Sequence, residues 1–218
     1  MGPAPTDAAR LRGLLDAAAR GEQTAREEPL EVLGRVEGVE AALVSLPHLR
    51  VVSAPLPEAE VRAGVANRGG PRLLVERPGV ACWLAERLAA QAGAATALLA
   101  CTTRPEAPDL AVHRREDRAP RGPGVDRRER VATFSDTAER GVVAVGPGLA
   151  GRREVTVHVD PAHRGRGVAR GLVAAALRVL GVREPVYAPV PIGDAAALRA
   201  LLAIGFRPLG AEQVLTRG

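Results

Sequence analysis

A glycine-rich turn joins a strand-like segment to a helix-like segment near residue 165, and this junction most constrains how the chain can fold. The segment Val155 to Val159 predicts a strand, and residues 171–180 repeat with the period of an amphipathic helix. Between them lies Arg-Gly-Arg-Gly-Val-Ala, residues 164–169. A turn that leads directly into a helix leaves backbone N–H groups without intrahelical acceptors, and the helix dipole adds partial positive charge there. The junction therefore predicts a site for an anion such as pyrophosphate.

The residue types in this turn favour a phosphorylated ligand. Gly165 and Gly167 have no Cβ, so backbone can approach a phosphate closely, and Arg164 and Arg166 can add charge-assisted hydrogen bonds. Neither G-x-x-x-x-G-K-[ST] nor the three-glycine G-x-G-x-x-G order is present. The pattern that remains is R-x-x-G-x-A, which points away from the two common nucleotide-binding motifs.

From about residue 131 to residue 218, the chain resembles the GNAT superfamily of acetyl-CoA-dependent N-acetyltransferases. The strand, the following Asp160-Pro161, the turn and the helix are together similar to that family's acetyl-CoA motif. A second motif follows in the family's order at residues 194–206, where a helix opens at Asp194 and closes at Gly205-Phe206. Asp194 replaces the usual Asn, and either side chain can cap a helix. Leu201 stands where many members have a tyrosine whose hydroxyl protonates the departing thiolate.

The resemblance implies an α/β fold of the α+β type, with a mixed, mostly antiparallel sheet flanked by helices and a helical or mixed N-terminal extension. It also implies that strands 154–159 and 185–190 diverge and hold the pantetheine arm of acetyl-CoA between them. The backbone N–H groups of Val157 and Val159 would then meet the acyl carbonyl and the pantetheine. The remaining cofactor-binding residues implied by the resemblance are Arg164, Gly165, Arg166, Gly167, Val168, Ala169, Arg170 and Asp194.

The catalytic acid and base stay open among three candidates. Glu154 begins the cofactor strand and could take the proton of the amine, although the alternation of the strand could equally aim it at solvent. His158 has a suitable intrinsic pKa, and it could also pack against the neighbouring helix or face outward. Tyr187, the only tyrosine, could donate to the thiolate in place of Leu201 or fill the core.

The resemblance implies an acyl-CoA-dependent N-acyltransferase, with acetyl as the expected acyl group and acetyl-CoA as co-substrate. The acceptor would be the amine of a small molecule or a peptide, and it would attack the thioester directly. The alternative is a domain that binds acyl-CoA without turnover and serves as a sensor.

The first half of the chain is expected to be an N-terminal extension or a degenerate acyltransferase-like subdomain, residues 1–102. Residues 103–130 are rich in arginine and proline and predict a flexible connection, and residues 131–218 form the acetyltransferase domain. Within the first half, the patterns predict helices at 8–20, 30–46, from 57 onward and at 78–92, with strands at 49–54 and 96–101.

Composition excludes several function classes. The formal charge is +5, but all 30 basic residues are arginine and no aromatic residues interleave with them, so a coding bias explains the charge better than a nucleic-acid surface. Cys82 and Cys101 lie in apolar neighbourhoods that predict buried, inert thiols, and His48, His113, His158 and Glu154 lack metal-ligand spacing. We expect no metal, no nucleic acid, no membrane association and a cytoplasmic location.

Overall fold

The computed structural model describes residues 6–22, 29–103, 110–115, 131–181 and 183–217. Within these ranges, the helices are α1 (Asp7–Ala19), α2 (Glu58–Ala66), α3 (Pro78–Leu88), α4 (Val168–Val179) and α5 (Ala195–Leu202). The strands of the same ranges are β1 (Leu30–Leu33), β2 (Ala41–Ser45), β3 (Arg50–Ser53), β4 (Gln91–Ala92), β5 (Thr96–Cys101), β6 (Val112–Arg115), β7 (Ala132–Asp136), β8 (Gly141–Pro147), β9 (Arg153–Val159), β10 (Val186–Pro191) and β11 (Arg207–Thr216).

The chain divides into two compact units, and the boundary at Leu98 falls within β5. The first unit contains Met1–Leu98 together with Leu209–Gly218, and the second contains Leu99–Pro208. Most of β11 therefore belongs with the first unit rather than with the residues that precede it in sequence.

In the first unit, β1, β3, β2 and β11 lie side by side in that order. β1 and β3 are parallel, whereas β2 is antiparallel to both β3 and β11. Helices α2 and α3 contribute apolar side chains, such as Val61, Val65 and Leu84, to a core shared with Leu43 and Val52 of the strands. The apolar residues of α2 and α3 thus pack against one face of this sheet.

The expected helix at 30–46 is wrong, because this segment forms β1 and β2. Leu30, Leu33 and Val36 recur with a helical spacing, but Gly34 and Gly38 interrupt the segment, and Gly38 adopts a φ of 83°. Pairing with β3 and β11 outweighs the local spacing. The other elements expected in the first half are confirmed, with α3 ending at Leu88 and β4 following it.

In the second unit, β10, β9, β8, β7 and β6 are neighbours in that order, and only the pair β9–β10 is parallel. Helix α4 packs on β7, β8 and β9 and also contacts α5. Its buried side is formed by Val168, Leu172, Val173, Ala174, Ala175, Ala176 and Leu177. The expected fold class, a mixed and mostly antiparallel sheet with flanking helices, is confirmed.

Part of the segment expected to be a flexible connection is regular structure. Val112–Arg115 forms β6, which pairs with β7 over four residues of each strand. This pairing is long-range in sequence, so composition alone could not reveal it. Residues 104–109 and 116–130 of the same segment lie outside the described residues.

Candidate functional site

Strands β9 and β10 pair only at their first residues. Val186 is opposite Arg153, and Tyr187 is opposite Glu154, and the register ends there. In contrast, β9 pairs with β8 along its whole length. Gly146 is opposite Glu154 near the start of β9, and Gly141 is opposite Val159 at its end. Beyond Glu154, one edge of β9 therefore belongs to the β8 ladder and the other edge no longer pairs with β10.

The hydrogen-bond pattern determines which residues of β9 face that second edge. In an antiparallel pair, alternate residues exchange hydrogen bonds with their opposite partners. The N–H of Gly148 donates to the carbonyl of Arg152 (2.7 Å), and the N–H of Asp160 donates to the carbonyl of Arg140 (3.0 Å), so even-numbered residues bond to β8. The N–H groups of Val157 and Val159 consequently point to the edge beyond the β9–β10 pairing, and their contact with a cofactor stays a prediction.

Helix α4 begins at the same ends of these strands with an uncapped N-terminus. Gly165 and Gly167 adopt φ values of 74° and 79°, which favour glycine, and none of the described side chains caps the helix at Gly167. The N–H of Gly171 makes the first helical bond, to the carbonyl of Gly167 (3.1 Å). The N–H groups of the first helical residues, Val168 to Arg170, therefore have no acceptor within the helix.

Three arginines lie in the turn and the first helical turn at this N-terminus. Arg164, Arg166 and Arg170 are all exposed, and Nε of Arg164 donates to the carbonyl of Val159 (3.2 Å). A Cβ added at Gly167 would lie 3.1 Å from Nη2 of Arg170, so this side chain folds back over the turn. The first turn of α4 contains no acidic residue, whereas α2 begins with Glu58 and Glu60. Cations beside a helix N-terminus are repelled by its partial positive charge. A bound anion would offset both the charge of these side chains and that of the helix end. We refer to residues 164–170 as the anion cradle.

Two aspartates among the expected motifs accept hydrogen bonds from backbone N–H groups close to them in sequence. Asp160 accepts a hydrogen bond from the N–H of Ala162 (3.0 Å) at the end of β9. Asp194 caps α5 by accepting from the N–H of Ala197 (2.9 Å). The capping interpretation of Asp194 is confirmed, and its contact with a cofactor stays a prediction.

Glu154 and Tyr187 are buried together with Arg152. Oε1 of Glu154 accepts hydrogen bonds from Nε of Arg152 (2.9 Å) and from the N–H of Leu149 (3.0 Å). The guanidinium of Arg152 lies 5.2 Å from the centre of the Tyr187 ring. Arg152 and Tyr187 are 0% exposed and Glu154 is 5% exposed. We call these three residues the buried cluster; Glu154 and Tyr187 are two of the expected acid and base candidates, and both contact Arg152.

His158 is the one of the three catalytic candidates that is exposed. A Cβ added at Gly141, opposite Val159, would lie 3.0 Å from Cδ1 of Leu172 on α4, so odd-numbered residues of β9 face that helix. His158 and Glu154 therefore lie on the other face of the sheet. Of its two sequence interpretations, packing against the helix is wrong and facing outward is confirmed.

Leu201 and the two cysteines are the remaining positions with an expectation from the sequence. Leu201 is 4% exposed on α5, so the position of the family's tyrosine is part of the core. Cys101 is buried as expected, and burial raises the pKa of its thiol. The expectation of a buried Cys82 is wrong, because Cys82 is exposed on α3. Its apolar sequence neighbours, Ala81 and Leu84, point into the core on either side of it.

Sequence reasoning missed Arg152 and Gly148. Arg152 is one of many arginines in the chain, and nothing in its local sequence distinguishes a buried arginine from a solvated one. A Cβ added at Gly148 would overlap the carboxyl group of Glu154, so glycine is required there for steric reasons. The short spacing Gly148-x-x-x-Arg152-x-Glu154 was the available signal, because a glycine in the turn just before a strand carboxylate can leave room for that side chain.

The described part of the chain contains neither a metal-binding cluster nor a membrane-spanning helix. Among those residues, no group of three or more His, Cys, Asp and Glu side chains is arranged to hold a metal ion. None of the helices described above has the length and apolar character needed to cross a membrane.

Comparison with known proteins gives structural matches only. No protein-family model and no curated protein matches the chain. A GNAT-family protein from Novosphingobium aromaticivorans is 17% identical with a TM-score of 0.43, covering 58% of this chain and 66% of that one. A GCN5-related N-acetyltransferase from Kribbella flavida is 13% identical with a TM-score of 0.41, covering 63% of each chain.

A third match has the same description. A GCN5-related N-acetyltransferase from Sphaerobacter thermophilus is 19% identical with a TM-score of 0.38, covering 62% of this chain and 55% of that one. The matched region spans less than two thirds of each of these solved chains. Because every TM-score here is below 0.5, the case for a function rests on the chain's own residues.

Proposed function

We propose that this protein binds acyl-CoA, with acetyl-CoA as the expected form, and transfers the acyl group to an amine. The observation that carries the proposal is the continuity of one surface. The edge of β9 beyond its pairing with β10 presents the N–H groups of Val157 and Val159, and the same strand leads into the anion cradle. Such a surface offers peptide-like hydrogen bonds followed by a site for phosphate.

The two parts of this surface match the two chemical parts of acyl-CoA. The pantetheine arm contains amide groups, which hydrogen-bond to an exposed strand edge as a peptide does. The pyrophosphate is anionic and suits the uncapped N-terminus of α4, Gly165, Gly167 and the three arginines of the cradle. A ligand that has only one of these parts would use only half of the surface.

Acyl transfer would form a C–N bond and break a C–S bond. The amine nitrogen attacks the thioester carbonyl, and a strand N–H such as that of Val157 stabilises the negative charge that develops on the carbonyl oxygen. The amine proton must be removed, and His158 is the exposed candidate on the same strand. The electron pair of the C–S bond leaves with sulfur, and the thiolate takes up a proton to give free CoA and an amide.

A non-catalytic acyl-CoA-binding domain is the second candidate. Its support is the burial of Tyr187 and Leu201, because this leaves both the expected position of the acid and its proposed replacement in the core. Glu154 is likewise held by Arg152 rather than exposed. In this candidate the surface binds acyl-CoA as a signal and no amide is formed.

Calorimetry and a thiol assay separate these candidates. Titration with acetyl-CoA, and with ATP as a control for general phosphate binding, tests the surface itself. Release of CoA thiol in the presence of a panel of small amines and peptides tests turnover. Both candidates require acetyl-CoA to bind more tightly than ATP, and only the enzyme releases thiol faster with an amine than without one. Equal binding of acetyl-CoA and ATP would refute the proposal.

A further inference from the structure

The buried cluster lies at the position where β9 and β10 cease to pair. Tyr187 and Glu154 are the last opposed residues of the two strands, and paired residues of parallel strands place their side chains on the same face. Arg152 adds the third member from the residue just before β9. The cluster therefore connects both strands across their final point of contact.

The turn between β8 and β9 is arranged around the Glu154 carboxylate. Besides the two bonds from Arg152 and Leu149, the backbone of Gly148 passes so close that a Cβ there would overlap the carboxyl group. A buried ion pair needs good geometry and added hydrogen bonds to offset the desolvation of its charges. Here the N–H of Leu149 supplies such a hydrogen bond, and the ring of Tyr187 adds a cation–π contact with Arg152.

We infer that Arg152, Glu154 and Tyr187 act as a clamp that fixes where β9 and β10 part, and thereby position the open edge of β9. They are positioning residues rather than catalytic residues. The inference rests on the proposed function for its ligand, because the edge so positioned is the one assigned to the pantetheine arm. The cradle is formed by a separate turn and by α4, so it does not depend on the clamp.

Two variants test the clamp. Glu154→Gln keeps the side-chain size and removes the charge that faces Arg152, and Gly148→Ala displaces the carboxylate without changing any charge. The matched control is Glu184→Gln, which removes the ion pair of Glu184 with Arg153 (2.8 Å) beside the same strand pair, where both side chains are 38% exposed. The three variants and the wild-type protein are all kept at full length.

Two ligands distinguish positioning from general loosening of the fold. ADP carries a pyrophosphate but no pantetheine, so it reports on the cradle alone. We expect both clamp variants to raise the Kd of acetyl-CoA by about tenfold or more, while the Kd of ADP changes by less than about twofold. The control should leave both affinities unchanged. Equal losses for the two ligands, or no loss for either, would overturn the clamp.

Amide hydrogen exchange gives a second readout that needs no ligand. The clamp predicts faster exchange in 153–159 and 186–191 of both clamp variants, with exchange in β7 unchanged. Uniform acceleration through the second unit, or no change in those two strands, would refute it. If wild-type protein binds neither acetyl-CoA nor ADP, the proposed function fails, and this exchange pattern still decides whether the clamp exists.

Discussion

A glutamate at position 167 places a carboxylate in the middle of the anion cradle. An ideal Cβ at Gly167 lies 3.1 Å from Nη2 of Arg170, so the new carboxylate can pair with this guanidinium and compete with a phosphate for it. A hydrogen bond to a charged group contributes roughly 1.5–3 kcal/mol, so losing one such contact weakens binding by roughly 10- to 100-fold. Repulsion between the carboxylate and a phosphate acts in the same direction.

Gly181→Glu is the matched control for Gly167→Glu. Gly181 follows the other end of α4, is exposed, has a φ of 59°, and would meet no atom within 4 Å of an added Cβ. Both substitutions place the same residue in the left-handed region, which costs about 1–2 kcal/mol in each case. We expect similar losses of Tm for the two variants and a loss of acetyl-CoA affinity, measured by calorimetry, for Gly167→Glu alone. Equal affinities in the two folded variants would refute the location of the cradle.

Three further predictions concern single side chains. Burial by itself would raise the pKa of Asp136, but hydrogen bonds from Arg140 outweigh burial and lower that pKa. The ionised carboxylate therefore stabilises the fold above about pH 4, and this stabilisation is lost as pH falls through the pKa of Asp136 in the folded protein. Asp136→Asn should therefore lower the free energy of unfolding at pH 7, and this free energy should decline less steeply below about pH 4 in urea titrations. The same decline in the variant and the wild type would contradict this. Tyr187→Phe should keep CoA release within about tenfold of wild type, because a buried ring is not placed as the acid, whereas loss of a general acid costs about 100-fold or more. Asp194→Ala should lower the free energy of unfolding by about 1 kcal/mol through loss of the α5 cap, and equal stability in urea would exclude that capping role.

The strand, turn and helix at 153–179 could be predicted from sequence because their signals are local. The alternation of β9, the glycines with positive φ and the helical period of α4 all lie within consecutive residues and agree with one another. The segment 30–46 shows the opposite situation. Its helical spacing is also local, but the partners that make it two strands come from β3 and from β11 at the end of the chain.

The same distinction applies within the site. The cradle could be predicted because it is one short stretch of sequence, but the end of the β9–β10 pairing depends on segments about thirty residues apart. Glu154 and Tyr187 were candidates because of their position on these strands, and their burial depends on Arg152 and on the space left by Gly148. Pairing and burial are tertiary properties, and period-two patterns alone do not determine them.

One continuous surface, from the open edge of β9 to the N-terminus of α4, is proposed to bind acyl-CoA. The most direct measurement is a titration of isotopically labelled protein with acetyl-CoA, followed by amide chemical shifts in NMR spectra. We expect the largest shifts at Val157, Val159 and residues 165–170, with ADP affecting only the latter group. Saturating acetyl-CoA that leaves these amides unshifted, or that shifts a different set, would contradict the account.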